Sequence, residues 1–446
     1  MNTNFKNSGI AWIGQIPKHW EVIRNKYILS GLYSGGTPTS GTAKFYTDED
    51  YGIPFVSIGD MSKKEFIEST KTKITKFGIL DKNLKILPKN TILYSIYATI
   101  GEVAELKCSA TISQALLALF VKNSYNKQFY KYNLKAMKDY IFFESSGTTQ
   151  FNLNAKKVLN FSFVSPPLNE QKKIAEFLDK KCEIIDKRLS NLERKIKSLK
   201  EYKKSLISEC VTKGLNPKNI EFKDSGIPWI GQIPKHWEVT KIKYCLKENF
   251  GGCWGDDLEN EQISQNSRLC IRVADFDFDK QKVKQTADTF RNYTKSQILS
   301  TKLQDGDLII EKSGGGDKMP VGRSVVFEQN LFGAKEVLFA NFCQCFRPLN
   351  INNKFFAHAM KAFYQNNNMR FFFNQTTGIQ NLSIFNILNA FLPYPPLNEQ
   401  KKIAEFLDKK CEIIDKRLGN LERKIKSLKE YKKSLIYECV TGKKEI

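Results

Sequence analysis

A chain of 446 residues that is 41% hydrophobic and 12% aromatic holds material for two to four cores, which excludes a disordered tail and a small stapled scaffold. Its formal net charge of +23, from 70 Lys and Arg against 47 Asp and Glu, favours a polyanionic partner, because neutralised phosphates release their counterions. No run of eighteen uncharged apolar residues occurs and the N-terminus lacks a signal peptide's apolar core, so the expectation is a cytoplasmic protein with no membrane partner.

In chain order, the first feature is a leader at residues 8–22 that recurs at 225–239 with a single change, Ala11 to Pro228. Its tryptophans and histidines, Trp12, His19 and Trp20 with Trp229, His236 and Trp237, read as docking or core residues. The competing role, stacking on bases, does not suit identical letters serving two different sites.

Residues 23–165 follow as a first insert. A turn-rich run, Gly35-Gly-Thr-Pro38 and its neighbours, precedes apolar stretches 53–58, 92–100 and 115–121, predicted as strands, and 128–143 is predicted as a helix. The insert closes on a loop, Gly147-Thr-Thr-Gln150, followed by Asn152-Leu153, with Leu153 thirteen residues before Pro166.

Residues 166–212 then recur as 395–441, with only Ser190/Gly419 and Ser208/Tyr437 differing. From Leu178 the apolar residues alternate in steps of four and three: Leu178, Cys182, Ile185, Leu189, Leu192, Ile196, Leu199 and, past Lys203, Leu206. The second copy reads Leu407, Cys411, Ile414, Leu418, Leu421, Ile425, Leu428 and, past Lys432, Leu435. Four heptads with charged residues between them form a coiled-coil seam. Pro166-Pro167, Asn169 as cap and Glu170 in the first turn mark a start, and Gly214 and Gly442 mark the stops. A helix over 169–211 is roughly 65 Å long at 1.5 Å per residue. Its stripe needs cover, and the other copy, paired antiparallel, supplies it. Lys203 and Lys432 interrupt the seam at a-type positions, either snorkelling near a helix end or locking the register.

The second insert, 240–394, repeats the order in different letters: strands over 269–273, 308–310, 324–327 and 337–346, a helix over 355–371, then Thr377-Gly-Ile-Gln380 and Asn381-Leu382. Leu382 again lies thirteen residues before Pro-Pro. The fold class expected is therefore α+β: two mixed domains joined by two long repeated helices in an antiparallel coiled coil, with a pseudo-two-fold internal repeat. The boundaries read as 1–165, 166–215, 216–394 and 395–446. Each helix copy carries a net +5, thirteen basic against eight acidic residues in 166–215 and fourteen against nine in 395–446. The remaining +13 lies in the inserts and leaders, so the charge is spread along the molecule.

Catalytic chemistry is not visible. There is no GxxxxGK[ST] phosphate loop, and the glycine runs at 251–255 and 312–318 lack the strand-to-helix context of a dinucleotide site. None of the ten cysteines forms a CxxC pair and only three histidines exist, so no metal site is expected and the thiols read as reduced and structural. No residue is assigned a catalytic role.

The leaders, the helices opening Pro-Pro-Leu-Asn-Glu-Gln-Lys-Lys-Ile-Ala-Glu-Phe-Leu-Asp, and the runs Gly35-Gly-Thr-Pro38 and Ile53-Pro-Phe-Val-Ser-Ile-Gly-Asp-Met61 closely resemble the specificity (S) subunit of type I restriction-modification enzymes, over essentially the whole chain. The resemblance implies that each insert is a target recognition domain reading one half of a bipartite DNA sequence. It implies that the repeated helices set the spacer and dock two methyltransferase (M) subunits, through which restriction/translocase (R) subunits join. S-adenosylmethionine, ATP and Mg then belong to the partners, with no cofactor and no enzymatic activity in this chain. Candidate DNA contacts are Lys71, Lys73, Lys76, Thr148, Thr149 and Gln150 in the first insert, and Arg272, Lys312, Lys318, Arg323 and Gln380 in the second. Arginine is the commonest reader of guanine; the second insert has six and the first only Arg24. Two other readings stay open at this point: a self-sufficient enzyme, and a coiled-coil scaffold whose charge is incidental.

Overall fold

A computed structural model describes residues 5–62, 64–145, 153–258, 262–317, 319–376 and 378–446. The chain divides into two compact units. One comprises Met1–Leu192 with Arg423–Ile446, the other Glu193–Glu422. Each holds one insert, its leader and a stretch of both long helices. Among the described residues no helix is long and apolar enough to cross a membrane.

In the first unit a five-stranded sheet runs in the order Leu29–Ser34, Leu116–Val121, Ile92–Ser95, Val103–Leu106, Phe66–Ile67, antiparallel except for the last pair. All four residues of Ile92–Ser95 are buried, which is why this strand reads as an unbroken apolar run. A second sheet orders Thr111–Ile112, Ile53–Val56, Thr72–Ile74 and Tyr46–Thr47. Helix Lys127–Ser145 starts where the Asn126 side chain accepts from the Phe129 N–H at 2.8 Å, satisfying one of the free amides of a first turn. Phe129, Tyr130, Leu134 and Met137 of that helix share one core with Trp20 of the leader, with Leu178, Cys182 and Ile185, and with Leu435, Ile436 and Cys439.

The second unit repeats the scheme with a six-stranded sheet: Leu246–Gly251, Cys343–Pro348, Leu308–Glu311, Ser324–Val326, Lys282–Val283, Phe276–Asp277. Its helix is Asn353–Gln365, capped by Asn352 through the Phe355 N–H at 3.0 Å. Two sequence expectations need correction here. The run 337–346 is two strands in different sheets, Val337–Phe339 and Cys343–Pro348, separated by a turn in which the Cys343 N–H donates to the Ala340 carbonyl at 2.9 Å. Apolarity reports burial and cannot show a bend inside the core. The helix expected to reach 371 stops at Gln365, because Asn367 takes a left-handed φ of 60° that asparagine tolerates better than most residues. In the first unit the run 92–100 likewise ends as a strand at Ser95, before Ala98 at φ 56°.

The long helices are Leu168–Lys213 and Leu397–Val440, beginning one residue before Asn169, which is thus helical and not the cap. Positive φ angles at Gly214 and Gly442, 77° and 73°, end them as left-handed glycines do. The two run antiparallel within each unit: Lys432 Nζ meets Asp186 at 2.7 Å in the first, and Lys203 Nζ meets Asp415 at 2.7 and 2.8 Å in the second. Both pairs use the same repeated positions with the helices exchanged. Of the seam, Leu178, Ile185, Leu407, Ile414, Leu418 and Leu435 are buried, and Leu189, Leu192, Ile196, Leu199, Leu206, Leu421, Ile425 and Leu428 are half-buried. Off the heptad steps, Ile207 and Val211 are fully buried. Toward its end this helix faces both its partner and the leader around Trp237, so its apolar face widens beyond the a/d stripe.

One of the two differences between the copies has a direct cause. Tyr437 donates from its hydroxyl to the Trp12 carbonyl at 2.9 Å and packs 6.3 Å from the Trp12 ring. In the second unit its counterpart Ser208 accepts from Asn366 at 3.1 Å, and Trp229 packs instead on Phe363, edge-on at 5.1 Å. For Ser190/Gly419, a side chain at Gly419 would meet nothing within 4 Å, and nothing in the structure explains the change.

Candidate nucleic-acid interface

Three polar residues of the repeated helix grip each domain in the same way. Glu170 accepts from Trp20 Nε1 at 2.9 Å and pairs with His19 at 3.0 Å; Glu399 does the same for Trp237 and His236 at 3.0 and 2.8 Å. Gln171 Oε1 accepts from the Asn126 N–H at 2.8 Å, and Gln400 Oε1 from the Asn352 N–H at 2.8 Å. In each case the glutamine's amide donates to the first proline's carbonyl, Pro166 or Pro395, at 2.8 Å. Asp179 accepts from Tyr132 and Gln128, each at 2.7 Å, where Asp408 meets His358 at 3.0 Å and Lys354 at 2.8 Å. The Glu and Gln contacts meet the same residue types in both units, and only at Asp179 and Asp408 do the held side chains differ. Sequence reasoning assigned no such role to Gln171, Asp179 or their copies; their identity in both copies at polar, non-seam positions was the available signal.

Burial and charge act in opposition around Asp408. Burial alone would raise its pKa, but the hydrogen bonds from His358 and Lys354 outweigh that and hold it down at about 2, below the ordinary 3.8. The His358 ring is pushed toward the neutral form by desolvation, against the pull of Asp408, and its Nδ1 has no hydrogen-bond partner among the described residues. A carboxylate depressed by folding stabilises the native state above its unfolded pKa and loses that contribution as pH falls through the folded one. Denaturant midpoints should therefore fall as pH drops from about 4 to about 2, and D408N should flatten that dependence. An unchanged slope in D408N would contradict the assignment.

The residues singled out from the sequence are placed as follows. Lys71 is exposed and its N–H donates to Asp60 at 3.1 Å. Lys73 reaches the Glu49 carbonyl and Asp50 at 3.1 and 3.2 Å, and Lys76 is the exposed first residue of helix Lys76–Asp81. Thr148, Thr149, Gln150 and Lys318 lie outside the described residues. Arg272 spends its fork on Asp275 at 3.1 and 3.2 Å, and Arg323 binds Glu311 through two nitrogens, each at 2.9 Å. Gln380 is 3% exposed, accepts from the Val321 N–H at 3.0 Å and donates to Gln375 at 3.4 Å. Lys312 is half-buried and its carbonyl accepts from the Leu382 N–H at 2.8 Å. Lys312, Arg323 and Gln380 come together around strand Ser313–Gly314, which pairs with Gln380 and Asn381; Arg272 joins no such group.

The family described as "Type I restriction modification DNA specificity domain" matches residues 17–199 and 277–426, more than half of the chain. The type I restriction enzyme MjaIX specificity subunit of Methanocaldococcus jannaschii is 27% identical over 291 residues, 61% of this chain and 64% of that protein. That match spans a little under two thirds of the relative's length. The MjaVIII specificity subunit of the same organism is 23% identical over 437 residues, covering 96% and 94%. A solved chain described under "complex assembly and conformational transition of the type I R-M system" superposes with a TM-score of 0.68 at 12% identity, over 95% of this chain and 98% of that one. That likeness is one of fold.

Proposed function

Since the chain belongs to the type I restriction-modification DNA specificity family, we propose that it is the non-catalytic, sequence-reading subunit of a type I restriction-modification assembly. Residues 23–165 and 240–394 each read one half of a bipartite duplex target as target recognition domains. The helices at 166–215 and 395–446 set the spacer and dock two methyltransferase subunits, through which restriction/translocase subunits join. S-adenosylmethionine, ATP and Mg act on those partners, in the cytoplasm. The observation that carries this reading is the constant set Glu170, Gln171 and Asp179, repeated as Glu399, Gln400 and Asp408, holding two domains whose sequences differ over most of their length. A holder repeated around unlike domains is what two independent readers on one frame require. Binding of the second half-site then becomes intramolecular once the first is held.

Exchange of residues 23–165 for the corresponding insert of another family member tests it. With partner subunits present, mapping of methylated adenines should show one half-site replaced and the other retained. Loss or retention of both half-sites together would contradict the reading. Cleavage or methylation of DNA by the purified chain alone, with Mg²⁺ and S-adenosylmethionine, would overturn its non-catalytic part.

A further inference from the structure

The second domain's arginines separate cleanly by partner. Arg268 pairs with Glu336, Arg272 with Asp275, Arg291 with Asp257, Arg323 with Glu311, and Arg347 with Asp307 and Glu248. Arg370 alone of the six has no carboxylate partner among the described residues. It is exposed and lies over the ring of Phe371, itself 68% exposed, at 4.8 Å. A planar guanidinium braced on a ring keeps its donor fork in a set orientation.

Arg370 lies three residues before an antiparallel pair of strands, Phe373–Thr376 and Ile379–Leu382, with Phe373–Thr376 at the free edge and the two-residue strand Ser313–Gly314 on the other side. The pleat gives this pair two unlike faces. Along Ile379–Leu382 exposure alternates, with Gln380 and Leu382 buried and Ile379 and Asn381 exposed. Gln380 and Leu382 anchor the inner face, the first on the Val321 N–H and the second in the domain core. On the outer face Asn374 stands directly opposite Asn381, both exposed. Asn374 makes no side-chain hydrogen bond with another described residue; Asn381 Oδ1 accepts from Ser313 Oγ at 2.6 Å, and the Asn381 side-chain amide donates to no described residue.

Resting on the reading of this domain as a half-site reader, we infer that Arg370, Asn374 and Asn381 form its base-contacting surface, taking the major-groove edges of guanine and adenine in duplex DNA. Strands of a small sheet can read bases in a DNA groove, an arginine fork matches guanine O6 and N7, and an asparagine amide matches adenine N6 and N7 in the major groove. The net charge of +23 suits such a polyanion over an acidic-residue-poor protein surface.

The test uses the full chain assembled with its methyltransferase subunits, presented with a library of duplexes randomised at both half-sites. R370A, R370K and the double variant N374A/N381A should relax the second half-site at one or two positions by roughly 5- to 150-fold each, with the first half-site unaltered. R370K keeps the charge and loses the fork, so its failure to restore the preference separates base reading from phosphate binding. Unchanged second half-site preferences in all three variants would overturn the inference and leave the family-based reading standing. So would a uniform loss across all sequences with a shallower salt slope, or a loss of assembly with the methyltransferase subunits. A wild-type assembly that selects no bipartite target would overturn both.

Discussion

D415A should destabilise the second unit by about 3 kcal/mol or more, whereas D186A, at the identical repeat position, should cost the first unit no more than about 1 kcal/mol. The two aspartates have the same sequence neighbours for many residues on either side, so local propensity cannot separate them. Their surroundings do. Lys203 has a side chain only 10% exposed, and its Nζ donates to both Asp415 oxygens and to the Asp279 carbonyl at 3.0 Å. The Lys361 ammonium converges on the same carbonyl at 2.6 Å, and desolvation, with Lys203 adding repulsion, pushes its pKa down to about 8. Removing Asp415 would leave two buried ammoniums sharing one neutral oxygen. In the first unit Asp186 is 51% exposed and Lys432 24%, and water replaces the lost partner. Denaturant unfolding of the two variants checks this; equal losses would contradict it. A double change, K203M with D415L, should recover much of the stability, since an apolar pair avoids the desolvation cost.

W237A should cost about 3–5 kcal/mol and leave the second half-site's base preferences intact in whatever fraction remains folded. Trp237 is 0% exposed, its Nε1 donates to Glu399 at 3.0 Å, and its ring closes on Gly214, where an added Cβ would come within 3.3 Å. It therefore joins the leader to the end of one long helix and the start of the other. Trp20 repeats the arrangement at 3% exposure. Had these rings been stacking platforms for bases, the outcome would reverse: an unshifted unfolding midpoint and weakened DNA binding. Thermal unfolding beside competition binding distinguishes the two.

Much of the architecture was legible because the letters repeat. The heptad steps from Leu178 and Leu407 announced two long helices, and the glycines at 214 and 442 announced their ends. Insert helices showed through their apolar periodicity, and Asn126 and Asn352 cap both at matched places. The run 337–346 misled, since continuous burial looks the same whether the chain goes straight or turns between sheets. The candidate contacts were harder still. Arg272 and Arg323 were chosen from the sequence and Arg370 was not, yet Asp275, three residues on from Arg272, and Glu311, across the sheet from Arg323, take the donors of the first two.

The sequence by itself determined the duplicated frame, the helical seam, the net positive charge and the family, because repeats, periodicity and charge can be read from the letters alone. Only the tertiary structure decided which of two identical lysines is buried, which arginine keeps its fork open, and which asparagines face outward. Those outcomes depend on partners brought together from far along the chain, as Lys203 is with Asp415, 212 residues away. At such separations the same residue in the same local sequence meets a different dielectric and different neighbours, and so acquires a different energy.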